Sequence, residues 1–438
     1  MPSTMPTPGD TSWFVHDRFG LFIHWGLYAM TARCAWIKQQ AQISEAQYDL
    51  YFKHFDPDLY DPAHWANVAR DAGMKYMVVT TKHHDGFCLW DSKLTDYKAT
   101  NTPARRDLIR PMHAAFREAG LRVGFYHSLI DWHHPQFAID DVHVLWNHPE
   151  RAKLNEQRDQ RKYIAYLHGQ VRELLTDYRD IDIMWLDYSY KGGRRGLPAT
   201  LIGKGREDWD SENLLKLVRE LRPGIILNDR LDLEHGWDIT TPEQHLPRQW
   251  PTLNGQHVVW ETCQTFHHWW GYHRDQNNWK SVKQIITLLV DTVSKGGNLL
   301  LNVGPTARGE WDERVTSRLS GVGKWMRWHS RSIYGCTQAP EGFVTPQDCR
   351  LTYNPTTNRL YVHVLAWPCK HLHLDHLSDR LEYAQLMHDG AEVAMRRYEG
   401  GETTHSNSRF SLPSHVVTLE LPVEHPPTEV PVIECFLK

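Results

Sequence analysis

Helix-like and strand-like segments alternate along the chain from about residue 19 to 335. In the clearest example, Asp61 is placed as an N-cap, Pro62 occupies the first turn, and apolar residues recur at helical spacing until Gly73 ends the helix. An apolar segment, 75–81, follows at once and is typical of a buried strand. Helical patterns also precede the apolar segments 122–128, 181–187, 225–230 and 298–304, and a further strand is predicted at 257–263, before the last of these helices. This repeated order of helix and strand predicts a parallel sheet.

The number of strands indicates how this sheet is organised. Six or seven strands, together with the segment 19–25, are spread over roughly 315 residues. We therefore predict an α/β fold built on a (β/α)8-like barrel, either of the regular TIM type or irregular. An open, doubly wound sheet is the alternative, although no GxGxxG motif follows a strand.

Beyond about residue 336 the apolar positions alternate instead. The segment 349–367 contains two alternating runs joined by an Asn/Pro/Thr turn, and two later segments, 370–377 and 416–422, alternate as well. This pattern predicts a C-terminal antiparallel β-sandwich of about 100 residues. A chain of 438 residues has room for two domains, which we place at 1–335 and 336–438.

Composition limits the partners and the compartment. The chain has 49 Lys and Arg against 53 Asp and Glu, which predicts neither a nucleic-acid partner nor a membrane-surface partner. It has no run of 18 apolar residues, and its first residues lack the pattern of a secretory signal. Seven scattered cysteines without a CxxC pair argue against a disulfide framework or a structural zinc site. A cytoplasmic location is therefore expected.

Polar and ionisable residues stand at the ends of the predicted strands. The segment 80–92, TTKHHDGFCLWDS, places His83 and His84 at such an end, with Phe87 and Trp90 close behind. Histidines beside flat aromatic faces suit a polar ligand with apolar faces, such as a sugar. Because all strand ends of a barrel meet at one mouth, we expect the other end residues to join them: His24, Trp25, Tyr126, His127, Trp185, Asp187, Asn228, Asp229, Arg230 and Glu261.

Carboxylates in a mouth lined by aromatic and histidine side chains favour glycoside hydrolysis, in which two carboxyl groups flank the bond that breaks. A metal-dependent hydrolase that uses His24, His83 and a carboxylate is an alternative, although the sequence has no HExxH motif. The histidines of the run 371–376 are interpreted as a solvated sheet face. The later glutamates Glu382, Glu392 and Glu399 are scattered and are interpreted as surface charges, so the C-terminal domain is expected to be a scaffold.

Seven sequence blocks occur in the order found in α-L-fucosidases of glycoside hydrolase family 29. They are FGLFIHWG, TTKHHDGFCLWDS, GFYHS, IMWLD, LNDR, WETC followed by WWGY, and SKGGNLLLNVGP. The resemblance covers about residues 13–335, and the β-domain by position. It implies a retaining double displacement, without metal or other cofactor, on a (β/α)8-like barrel with a C-terminal β-sandwich.

The resemblance also implies roles for individual residues. The family nucleophile matches Asp187, the aspartate that ends the W-x-D strand. Residues that bind fucose match His24, His83, His84, Trp36, Trp185 and Arg230. Tyr126 and His127 fall where many members carry Tyr-Tyr, so the sugar contact of the second tyrosine is open here.

Two glutamates compete for the role of acid/base. Glu243 lies 13 residues after Arg230, an interval close to that of the family, and it is favoured. Glu261 is placed at the end of a strand in the WETC block and is the alternative, or else a structural carboxylate. The expected partner is a fucosylated oligosaccharide or glycoconjugate, and a homo-oligomer is left open. A non-catalytic fucose-binding protein on the same fold is a further alternative.

Overall fold

The computed structural model describes residues 4–194, 196–398 and 412–438. Seven parallel strands form one curled sheet. They are β1 (Phe19–Ile23), β2 (Tyr76–Lys82), β3 (Arg122–Ser128), β4 (Ile183–Asp187), β5 (Ile226–Leu227), β8 (Glu261–Thr265) and β9 (Asn298–Val303). Their order across the sheet is β5-β4-β3-β2-β1-β9-β8. A short hairpin, β6 (Thr252–Leu253) and β7 (Gln256–His257), lies outside this sheet.

A separate segment closes the sheet into a barrel. Residues 238–244 run between the two edge strands, β5 and β8, and bond to both through single bridges. Asp238 N donates to Leu227 O at 2.8 Å on one side, and Gln244 N donates to Cys263 O at 3.0 Å on the other. The (β/α)8-like barrel predicted from the sequence is confirmed and is of the irregular kind, and the open doubly wound sheet is wrong.

Helices surround the barrel and cover the outer face of its strands. The predicted cap of one of them is present, since Asp61 accepts a hydrogen bond from His64 N and Pro62 begins the helix. The helices are α1 (Ser12–Asp17), α2 (Ile37–Gln40), α3 (Glu45–His54), α4 (Pro62–Asp71), α5 (Ile109–Glu118), α6 (Arg151–Glu156), α7 (Gln160–Asp177), α8 (Arg206–Trp209), α9 (Ser211–Leu221), α10 (Val282–Val293) and α11 (Glu313–His329). Short 3-10 turns occupy Leu27–Thr31, Ala99–Asn101 and Ser330–Ser332.

Two predicted strands differ from the structure. The segment 225–230 contributes only the two residues of β5. The segment 257–263 is divided, because His257 pairs in the hairpin and β8 begins only at Glu261. Glu261 therefore opens its strand instead of ending it, and this places its side chain toward the floor of the barrel.

The interior of the barrel is packed with side chains from alternate strand positions, among them Phe22, Tyr126, Trp185 and Leu300. Phe14 of α1 closes the floor, and its carbonyl accepts a hydrogen bond from Asn298 Nδ2 at 2.7 Å. The opposite end, where the strands finish, stays open and holds the candidate site. Among the described residues, no helix is both long and apolar enough to traverse a lipid bilayer.

The C-terminal region forms two antiparallel sheets packed face to face, as predicted. One sheet contains β10 (Thr337–Gln338), β11 (Cys349–Asn354), β12 (Arg359–Val364), β17 (Val432–Leu437) and β14 (Leu381–Leu386). The other contains β13 (His371–Leu374), β16 (Val417–Glu420) and β15 (Ala394–Arg397). Apolar side chains of both sheets share one core, while His371 and His373 are exposed, as expected. Glu399 lies outside the described residues.

The sandwich packs against the last helix of the barrel. Trp325 of α11 is 2% exposed, and its indole N–H donates to Val430 O at 2.9 Å. Thr352 Oγ1 also donates to Ser332 O at 2.7 Å. The predicted domain boundary after residue 335 falls just before β10, which begins at Thr337. The division into two separate domains, 1–335 and 336–438, stays a prediction.

Candidate active site

A cavity of about 300 Å³, including the part open to solvent, lies at the carboxyl ends of the barrel strands. We call it the inner cavity. Most of its wall comes from residues at or just beyond strand ends, which is the usual place for function in this fold. It is lined by Phe22, His24, Trp36, His83, His84, Tyr126, Trp185, Asp187, Tyr188, Glu243, Cys263 and Trp270.

Asp187 is the last residue of β4 and points into the inner cavity. Its Oδ2 accepts a hydrogen bond from the Tyr126 hydroxyl at 2.7 Å, and its Oδ1 accepts one from Arg230 Nη1 at 2.9 Å. Burial raises the pKa of Asp187 above the ordinary carboxyl value; the positive charge of Arg230 lowers it, and the negative charge of Glu243 raises it. Burial therefore outweighs the effect of Arg230 on the pKa of Asp187.

Glu243 lies on the segment that closes the barrel, opposite Asp187 across Arg230. The same Arg230 Nη1 donates to Glu243 Oε2 at 2.8 Å, and the Trp270 indole N–H donates to Glu243 Oε1 at 3.1 Å. The side chain of Glu243 is 39% exposed, against 9% for Asp187. The Asp187 carboxylate is thus buried in the inner cavity, and the Glu243 carboxylate lies at its opening.

Three histidines line the same cavity. His24 Nδ1 is 2.6 Å from Asn302 Oδ1, and His84 Nδ1 is 2.6 Å from Ser128 Oγ. Burial lowers the pKa of His24 to about 3 and lowers the pKa values of His83 and His84 well below their ordinary value. All three rings are therefore neutral near pH 7. Because Nδ1 of His24 and Nδ1 of His84 are already hydrogen-bonded to the protein, each of these two rings has its Nε2 atom left for a hydroxyl group.

Aromatic rings form the remaining wall. Trp185 stacks on Tyr126 and also lies under the Arg230 guanidinium, whose carbon is 4.5 Å from the ring centroid. Trp36 stands edge-on to His84, with ring centroids 4.8 Å apart, and Trp270 stacks on His24 at 4.9 Å. These rings combine apolar surface with the neutral polar groups of the histidines, as a sugar site requires.

Trp25 and Asn228, which were also expected at the mouth, do not line the inner cavity. Trp25 packs against Tyr60 and Trp65, and Asn228 Nδ2 donates to Leu186 O at 2.9 Å.

Two residues proposed for catalysis or sugar binding also lie elsewhere. His127 neighbours Tyr126 on β3, so its side chain faces the other side of the sheet, where Nδ1 is 3.0 Å from Thr81 Oγ1. Glu261 lies in the floor of the barrel and accepts the Tyr76 hydroxyl at 2.5 Å. Burial raises the pKa of Glu261 to about 8, although the hydrogen bond from Tyr76 lowers it. Neither position supports the role in substrate binding or acid/base catalysis considered for it.

The aromatic residues expected beside His84, Phe87 and Trp90, do not line the inner cavity either. Phe87 packs between Phe55 and Tyr97, in the core beside the barrel. Trp90 is likewise buried there and donates its indole N–H to Glu173. The loop after β2 turns outward once it has placed the two histidines.

Four residues of the inner cavity were not selected from the sequence. Phe22 stands two positions before His24, and Cys263 stands two positions after Glu261. Because side chains two positions apart on a strand share a face, this spacing could have identified both residues as facing the barrel interior. Trp270 lies in the WWGY block, which was noticed without a role. Tyr188 follows Asp187 directly, and nothing in its sequence context marked it.

Two carboxylates held on one arginine, inside a barrel mouth lined by neutral histidines and aromatic rings, form the active site of a glycoside hydrolase. Among residues 4–194, 196–398 and 412–438, no group of three or more His, Cys, Asp or Glu side chains is arranged to hold a metal ion. The family model for α-L-fucosidase matches residues 6–331. The chain belongs to the α-L-fucosidase family.

Known relatives support this membership. The structure is similar to that of α-L-fucosidase isoenzyme 1 from Paenibacillus thiaminolyticus, with a TM-score of 0.87, 41% identity and 98% of each chain covered. It is similar to a trapped covalent intermediate of a family 29 α-L-fucosidase from Bacteroides thetaiotaomicron, with a TM-score of 0.81, 26% identity, and 100% of this chain and 98% of that one covered. The tissue α-L-fucosidase of Homo sapiens is 30% identical over 351 residues, which are 74% of this chain and 69% of the human protein.

Proposed function

We propose that the chain is a retaining exo-α-L-fucosidase that releases terminal α-L-fucose from oligosaccharides or glycoconjugates. The reaction proceeds in two displacements through a covalent fucosyl-aspartate intermediate. Asp187 is the nucleophile and Glu243 is the acid/base. The cytoplasmic location expected from the sequence, and a homo-oligomer, remain predictions.

The bridge through Arg230 is the observation that carries this proposal. Its Nη1 atom is 2.9 Å from Asp187 Oδ1 and 2.8 Å from Glu243 Oε2, so these two oxygens can be no more than about 5.7 Å apart. Retaining glycosidases hold their carboxyl groups about 5–5.5 Å apart, whereas inverting enzymes need about 6.5–9.5 Å to admit a water molecule. The short separation favours the retaining mechanism.

The unequal exposure of the two carboxylates supports their roles. Asp187 is buried beside the stacked rings of Tyr126 and Trp185, where only the sugar bound in the inner cavity can contact it. Glu243 stands at the opening, where the glycosidic oxygen and the leaving group would lie. In the first step Asp187 attacks the anomeric carbon while Glu243 gives its proton to the leaving oxygen. In the second step Glu243 takes a proton from water, which then displaces Asp187.

The walls of the inner cavity favour fucose as the sugar. His24, His83 and His84 offer neutral ring nitrogens to the hydroxyl groups of the sugar. Trp36 and Trp185 offer apolar surface for the C5-methyl group of a 6-deoxy sugar, although Phe87, which we expected to join them, does not line the cavity. Because a hydroxymethyl group fits an apolar wall less well, galactosides are expected to be poor substrates.

Azide rescue tests both roles by the stereochemistry of the product. In Asp187→Gly, azide can enter the space of the missing carboxylate and attack opposite the leaving group, which yields β-L-fucosyl azide. In Glu243→Gly, azide replaces water in the second step and yields the α-azide. Asp180→Gly serves as the control, because Asp180 is exposed and its φ of 58° suits glycine. The assignments fail if the two variants give the opposite anomers, or if Asp187→Gly keeps near-normal activity without azide.

Hydrolysis of an aryl α-L-fucoside in the presence of a chelator separates the alternatives. The proposal predicts full activity after exhaustive treatment with EDTA. A non-catalytic fucose-binding protein would show no hydrolysis, and a metal-dependent hydrolase would lose activity with the chelator and regain it with added metal.

A further inference from the structure

A second cavity adjoins the inner one. It encloses about 920 Å³, including space open to solvent, and we call it the outer cavity. Tyr188 lines both cavities, and Arg230, which holds the two carboxylates, lines the outer one. The outer cavity is thus in contact with the reaction centre, and of its lining residues the mechanism described above uses only Arg230.

The wall of the outer cavity has the chemistry of a sugar site. Pro242, Pro247, Pro251 and Tyr188 supply apolar surface. The polar lining residues include Arg230, Thr241 and Ser189, whose hydroxyl donates to Arg230 O at 2.7 Å and accepts from the Trp209 indole N–H at 3.0 Å. Pockets for small molecules combine mostly apolar walls with a few placed polar groups, and the C–H faces and hydroxyl edge of a pyranose match both.

Backbone strain marks the wall between the cavities. Tyr188 has a φ of 88°, in the left-handed region that a bulky residue rarely adopts. The turn follows Asp187 directly and holds the Tyr188 ring against Trp36 and His84, with centroids 5.3 and 5.1 Å away. Strain of this kind persists where the surrounding structure enforces it, and it is concentrated at functional sites.

The closing segment of the barrel orients the outer cavity toward the acid/base. Thr241 and Pro242 line the outer cavity, and the next residue, Glu243, lines the inner one. A bond between sugars in the two cavities would therefore lie beside the Glu243 carboxyl group. We infer that the outer cavity binds the leaving sugar, a hexose or N-acetylhexosamine pyranose, and that Tyr188 and the prolines of residues 242–251 determine which linkage is cleaved. This inference rests on the proposed function.

Two substrates that share fucose but differ in the leaving group test it. Fluoride, the leaving group of α-L-fucosyl fluoride, is too small to occupy the outer cavity. The second substrate is the best of four fucosyl disaccharides, linked 1,2, 1,3, 1,4 or 1,6. In the double variant Pro247→Ala/Pro251→Ala, kcat/KM for the disaccharide should fall about tenfold, mainly through KM, because apolar contacts are lost. For the fluoride it should stay within about twofold of wild type.

Pro346→Ala is the matched control, since Pro346 is also half-buried but lies in the C-terminal region. If the double variant is unstable, the two single variants are expected to shift the ratio of the two substrates in the same direction. Unchanged kcat/KM for the disaccharide, or an equal loss on both substrates, would overturn the inference while the proposed function stands. A wild-type chain inactive on the fluoride would overturn both.

Discussion

Replacement of Arg230 by methionine is predicted to disable both carboxylates at once. Arg230 is the cation that holds Asp187 and Glu243 together, and its side chain is only 15% exposed. Methionine keeps an apolar stem against Trp185 but removes the charge. Two negative groups would then share a buried space, and the pKa of Asp187 should rise further, because burial and the charge of Glu243 would no longer be opposed. The nucleophile would be protonated over more of the pH range.

The size of the effect follows from the pKa of Asp187. A cation beside a carboxylate lowers the pKa of that carboxylate by about 1–3 units, and each unit corresponds to about 1.4 kcal/mol. Loss of Arg230 should therefore destabilise the ionised form of Asp187 by about 1.4–4 kcal/mol. Because only the ionised form attacks, kcat/KM should fall about 10-fold to 1,000-fold at pH values below the raised pKa.

The assay is kcat/KM for an aryl α-L-fucoside from pH 5 to 9. Activity should fall at pH values below the raised pKa of Asp187, and its acid limb should move to higher pH, because Asp187 must be ionised to attack. Arg194→Met is the control, since Arg194 also joins two carboxylates, those of Asp232 and Glu207, but lies outside the inner cavity. An Arg230→Met variant within tenfold of wild type, with an unmoved acid limb, would refute the reasoning.

Three further changes test other parts of the structure. Trp270→Phe removes the indole donor to Glu243, and the loss of one partly exposed hydrogen bond should lower kcat/KM about fivefold for a fucosyl disaccharide and less for an aryl fucoside; equal losses would contradict this. Glu261 has its folded-state pKa raised from 4.5 to about 8, so the folded protein keeps a proton that the unfolded chain releases, and stability should decline as pH rises through this window. Glu261→Gln should weaken that decline, and parallel melting-temperature profiles from pH 5 to 8 would contradict it. Deletion of residues 341–438 exposes the surface around Trp325 and should give an insoluble or unstable barrel, whereas a soluble, fully active product would show that the sandwich is not a scaffold.

Local sequence signals were sufficient for much of the fold. The capped helix that begins at Pro62 and the apolar strand that follows it were predicted within about one residue, because both patterns are set by neighbours in the chain. The closing segment, residues 238–244, was not predicted. It bonds to its neighbours only through single bridges, and tertiary contacts place it there.

The difference between local and tertiary signals also explains which site residues were placed correctly from the sequence. Trp185 and Asp187 were placed correctly because they stand two apart on β4 and share its inner face. His127 was misplaced because the prediction let every residue at a strand end face the mouth, although Tyr126 and His127 must point to opposite sides. Glu261 was misplaced because the apolar residues before it resemble a strand, whereas His257 pairs in a separate hairpin.

The covalent step is the central claim, and mass spectrometry tests it most directly. The Glu243→Gln variant is incubated with 2-fluoro-α-L-fucosyl fluoride, which forms the intermediate quickly and releases it slowly, and the chain is then digested. The account predicts one added 2-fluoro-fucosyl group, on the peptide that contains Asp187, and no such adduct in Asp187→Gly. An adduct on another carboxylate, or turnover that inverts the anomeric centre without any adduct, would contradict it.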